Sequence, residues 1–61
     1  MQLGELWQSQ KTHEVVRIEM CHGGLLSFSI LQGGQWVMCQ NVWDEVEFRA
    51  KFKRMDSWVR S

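Results

Sequence analysis

VEFRAKFKRM, residues Val46 to Met55, supports two readings at once. Val46, Phe48, Ala50 and Phe52 alternate with Glu47, Arg49, Lys51 and Lys53, which is the period of a half-buried strand. The same stretch sets Phe48 and Phe52 four residues apart, the spacing that brings two side chains onto one face of a helical turn. Just upstream, NVWDEVEF offers Asn41 as an N-cap with Asp44 and Glu45 in the first turn, where acids complement the positive end of a helix dipole. Periodicity alone favours a strand, and the rest of the chain must decide.

That chain is 61 residues long, close to the lower limit at which one hydrophobic core holds a domain unaided. A core of this size contributes about 3–5 kcal/mol, so a disulfide, a metal, a dimer or a bound partner is a reasonable expectation. Four Trp, three Phe and four Met are more large apolar side chains than so small a core covers, which points to a contact surface. Seven basic and seven acidic residues cancel, so no overall field draws the molecule to nucleic acid or an anionic membrane. Apolar runs fall far short of the roughly 20 residues that span a bilayer. The chain reads as one soluble intracellular domain, residues 1–61, with no linker, repeat or low-complexity tract.

Ahead of the deciding stretch, the pattern is β throughout. VVRIEMC alternates Val16, Ile18 and Met20 against Arg17, Glu19 and Cys21. His22-Gly23-Gly24 then supplies residues for a tight reversal. LLSFSIL sets Leu26, Phe28 and Ile30 on one face, and Gln32-Gly33-Gly34 repeats the turn chemistry. QWVMCQ puts Trp36 and Met38 opposite Val37 and Cys39, completing a three-stranded meander. The N-terminal LGELW carries Leu3, Leu6 and Trp7 and packs as an arm or short strand, with Trp7 in the core and Trp58 as a lid near the other end.

Taken as a whole, the layout resembles a set of short phage and prophage proteins of unknown function. Gly4 and Trp7 match their G-x-x-W start, paired short strands follow, and Phe48, Lys51 and Phe52 lie where those proteins end in F-x-x-K-F. The resemblance runs from Gly4 to Met55; the chain departs from it in lacking Pro near the start and in carrying the bulky Trp43. It implies a small SH3-like or Tudor-like barrel, or a three- to five-stranded antiparallel meander, with one short helix or helical turn near the C-terminus. On that basis Val42 to Lys53 is read as the helical element, a fourth strand being the alternative. Phe48 and Phe52 then point inward together, and Met55 to Trp58 form a final edge strand.

The chemistry is sparse. No nucleophile elbow, phosphate-binding loop, HExxH or dinucleotide fingerprint occurs, and the chain is read as a non-enzyme without a cofactor. Cys21, His22, Cys39 and His13 lack the C-x-x-C and H-x-x-x-H spacings of zinc sites, and adjacent strand residues face opposite ways. The cysteines are expected to be free thiols, though pairing remains open if their strands are neighbours. Asp44, Glu45 and Glu47 read as a solvated acidic helix start rather than an acid–base set.

The sharpest local signal is cationic: Arg49, Lys51, Lys53 and Arg54 fall within six residues. Beside Trp36 or Trp43 such a stripe has the composition to bind single-stranded nucleic acid. The upstream acids can pair with the same cations, however, and lower the field. Trp36 and Trp43 beside basic residues also have the make-up of a protein-binding hot spot. The partner-binding set is therefore Trp36, Trp43, Arg49, Lys51, Lys53 and Arg54. The expected function is a protein-binding module that modulates a partner by occlusion, which the resemblance places in the bacterial cytoplasm against a host or defence protein. Nucleic-acid binding by residues 49–54 and a structural homo-oligomer joined through an edge strand are the alternatives.

Overall fold

The computed structural model describes residues 1–55. Its elements are β1 (Leu6–Ser9), β2 (Val15–His22), β3 (Leu25–Gln32), β4 (Gln35–Met38), β5 (Trp43–Asp44), α1 (Glu45–Lys51) and β6 (Phe52–Arg54). All pairings are antiparallel, in the order β4-β3-β2-β1-β6, with β5 also paired to β3. Among the described residues this is a small, mainly β domain of six antiparallel strands with one short helix before the last of them, an arrangement consistent with a small β-barrel or meander.

The meander follows from its turns. His22 pairs with Leu25 and Gln32 with Gln35, so each hairpin loop is a pair of glycines. Gly33 and Gly34 both adopt positive φ, 57° and 81°, the type I′ geometry whose twist matches that of the flanking strands. The longer β1–β2 connection is built differently. The Ser9 hydroxyl accepts from the backbone N–H groups of Lys11 and Thr12, and His13 closes the turn at φ 67°.

The core consists of Trp7, Val16, Ile18, Leu26, Phe28 and Phe48, with Met1, Cys21, Ile30, Cys39, Trp43 and Phe52 packed around it. Trp7 is buried as expected. Met20 is not: it is 45% exposed, while Cys21 turns to the core. The cause is a β-bulge, since Ile18 pairs with Phe28 but Met20 pairs with Ser27, leaving Glu19 as an extra residue. Past the bulge every side chain of β2 sits on the opposite face to the one a strict period of two assigns it.

The stretch 46–55 is helix first and strand second. The helical element is narrower than Val42 to Lys53, because Trp43 and Asp44 pair with Leu26 and Leu25 on β3 and the helix ends at Lys51. Its N-cap is Asp44 rather than Asn41, with the carboxylate accepting from the N–H groups of Val46 at 2.9 Å and Glu47 at 3.4 Å. Glu45–Arg49 and Glu47–Lys51 ion pairs, each four apart, favour the helix over the alternating strand. Phe52 is already extended, at φ −122° and ψ 154°, yet its ring stacks on Phe48 with centroids 4.3 Å apart. The last described strand is thus Phe52–Arg54, paired to β1, and the expected strand from Met55 to Trp58 and the Trp58 lid lie, past Met55, outside the described residues. Replacing Asp44 by Ala should cost about 1 kcal/mol in urea unfolding. Asn41→Ala should cost almost nothing, and the reverse ranking would refute the cap.

Candidate functional site

Trp43 reaches its position because β5 pairs with β3 through Leu26, which sets the indole against the core. It lies 5.9 Å from the Phe28 ring, 6.3 Å from Phe48 and 5.6 Å from Phe52, measured between centroids, and meets the last two edge-on. The cluster stops short of enclosing it. A cleft of about 600 Å³ opens there, lined by Ser9, Gln10, Lys11, Thr12, Trp43, Lys51 and Phe52. The turn after β1 forms one wall, tied across by the Gln10 N–H donating to the Lys51 carbonyl at 3.1 Å. Lys51 carries its ammonium 5.9 Å from the Trp43 ring centre. Two half-buried aromatic rings with hydroxyl, amide and ammonium groups at the margin can accept an apolar side chain and hydrogen-bond what flanks it.

Trp36 belongs to a different surface. It pairs with Leu31, and Leu31 alternates with the core-facing Ile30 and Phe28, so Trp36 stands on the opposite face of the sheet from Trp43. There the Arg17 guanidinium sits 4.4 Å from its ring centre. Arg17 Nε donates to Glu19 Oε2 at 2.9 Å, and the same oxygen accepts from the Ser29 hydroxyl at 2.8 Å. The Ser29 hydrogen bond, and after it the one from Arg17, holds the Glu19 carboxyl below the ordinary glutamate range. The alternating reading of β2 put Arg17 and Glu19 on one face but named neither Ser29 nor Trp36 as their partner.

The cationic run is divided and largely matched. Arg49 bonds Glu45 at 2.9 Å and lies over the Trp7 ring, 5.5 Å from its centre. Lys51 pairs with Glu47 at 3.3 Å and Arg54 with Glu5 at 3.7 Å, while Lys53 has no ion pair among the described residues. Of the six partner-binding candidates, Trp43 and Lys51 line the cleft. Glu5 and the Ser9–Thr12 wall were not anticipated, because they come from the far end of the chain. Only their place in the β1–β6 pairing brings them here.

Cys21 and Cys39 are free thiols. Among the described residues, no group of three or more His, Cys, Asp or Glu is gathered closely enough to hold a metal ion. Nor is any helix there long and apolar enough to cross a membrane. Comparisons with protein-family models, curated proteins and solved structures returned no match.

Proposed function

We propose that this chain is a stoichiometric protein-binding module that takes an apolar side chain of its partner into the cleft against Trp43 and Phe52 and modulates the partner by occlusion. One observation carries the reading: the aromatic cleft is open while Arg49, Lys51 and Arg54 each already face a carboxylate of the same chain. A surface so balanced gives phosphate little net attraction and suits a desolvated protein contact. In this reading Trp43, half-buried at the cleft, receives a side chain of the partner. The resemblance to short phage proteins directs the search for the partner to a bacterial host or defence protein.

A second reading has its own support, since Lys11 and Lys51 border the same rings, a composition on which a nucleic-acid base can stack with its phosphate nearby. Salt separates the two. Capture from bacterial lysate with and without nuclease identifies the bound species, and titration in rising salt then weakens a nucleic-acid complex steeply but a protein complex little. Gln10→Trp tests the cleft directly, because that side chain is exposed and its backbone N–H, which holds the wall, is kept. Its circular dichroism should match the parent while affinity for the captured partner falls at least roughly tenfold, about 1.4 kcal/mol. Unchanged affinity would remove the cleft from the interface.

A further inference from the structure

Between Glu19 and Asp44 the chain contains no Asp, Glu, Lys or Arg, and this span includes the whole of β4. β4 is also an edge: it pairs with β3, and no other described strand pairs with it. Edge strands are ordinarily guarded by charge, proline or a bulge, and Gln35-Trp36-Val37-Met38 has none of these. The opposite edge of the described sheet, β6, carries the guarding charges Lys53 and Arg54. Val37 and Met38 are 46% and 55% exposed although they lie on opposite faces of the sheet, so neither face covers this edge.

The hydrogen-bond alternation then defines what fits. Cys39 N–H donates to the Phe28 carbonyl, so the backbone groups of Gln35, Val37 and Cys39 point to β3, and those of Trp36 and Met38 point outward. We propose that β4 pairs antiparallel with β4 of a second copy about a two-fold axis at Val37. Trp36 and Met38 exchange backbone N–H···O=C bonds with Met38 and Trp36 of the other copy, and the two Val37 residues meet as a non-hydrogen-bonded pair. On the outer face each Met38 thioether lies beside the indole of the opposite Trp36, a favourable sulfur–aromatic contact. The operation is closed and self-complementary, with no charge brought against its like. The interface is short, so association depends on concentration. It is independent of the cleft.

Light scattering after size exclusion, across a concentration series, should show mass rising from one copy to two. Val37→Lys, which sets two ammonium groups opposite each other on the axis, should hold the mass at one copy with an unchanged circular dichroism spectrum. The second measurement does not depend on that variant folding. Val37→Cys places two thiols on strands whose non-hydrogen-bonded Cα atoms are about 4.5 Å apart, within disulfide reach. Under mild oxidation the two introduced thiols should form an intermolecular disulfide, mapped by mass spectrometry, much faster than the exposed Val46→Cys control on α1 links its own copies. A parent that stays at one copy throughout overturns the proposal. So does a Val37→Lys variant that still dimerises, or equal cross-linking of the two cysteine variants.

Discussion

Phe48→Ala is expected to leave the chain largely unfolded. Phe48 is fully buried and its ring meets four others, Phe52 at 4.3 Å, Trp7 at 5.1 Å, Phe28 at 5.4 Å and Trp43 at 6.3 Å between centroids. Through these rings α1 packs against β1, β3, β5 and β6. Truncating such a side chain costs about 3–5 kcal/mol, from lost transfer energy and from the cavity left behind. That equals the whole contribution of about 3–5 kcal/mol expected from a core in a domain this small. The loss of dispersed amide resonances and of a cooperative urea transition would report it. Val46→Ala, two residues away but 78% exposed, should shift stability by no more than about 0.5 kcal/mol. A Phe48→Ala protein that still unfolds cooperatively near the parent midpoint would mean that the aromatic cluster is not the centre of the core.

The same residue shows what the sequence made legible. Inward pointing of Phe48 with Phe52 was expected from the resemblance, and the stacked rings agree, but Phe52 reaches Phe48 from a strand and not from a second helical turn. Alternation misleads over 46–51 because i,i+4 ion pairs and the Asp44 cap decide the backbone there, and a hydrophobicity pattern does not register either. The three meander strands were readable for the opposite reason. Their alternation is reinforced at each end by paired glycines that only a tight hairpin uses well.

The functional surfaces were less accessible to pattern reading. The cleft joins Ser9 to Thr12 with Trp43 and Phe52, which are more than thirty residues away along the chain and meet only through β-sheet pairing. Trp43 and Lys51 were anticipated as candidate residues; Phe52 and the wall from Ser9 to Thr12 were not. The acids upstream of residues 49–54 were read as able to pair with the cations there, and Glu45 and Glu47 do so. Asp44 is instead committed to the helix N–H groups, and Glu5, distant in sequence, takes Arg54.

Glu19 is where the bulge, the outer face and the proposed edge contact meet, and its substitution should have the next largest effect on stability. One carboxylate oxygen holds both the hydroxyl of the buried Ser29 and the Arg17 guanidinium that lies on Trp36. Glu19→Ala removes both bonds and should cost about 1–3 kcal/mol at neutral pH, toward the lower end because the Met38 sulfur, 3.5 Å from the Ser29 hydroxyl, remains as a weak acceptor. Acid should remove part of the same stabilisation from the parent. The folded state holds this carboxyl below its unfolded value, so the contribution is complete above the ordinary glutamate range and disappears as pH falls through the lowered folded value. Glu19→Gln keeps an acceptor for Ser29 but has no proton to gain. The parent should therefore exceed Glu19→Gln at neutral pH and converge on it in acid, with urea midpoints read at each pH. A difference that stays constant down to the lowest pH at which both fold would show that Glu19 acts by shape and hydrogen bonding alone, and that Arg17 rests on Trp36 without needing its charge.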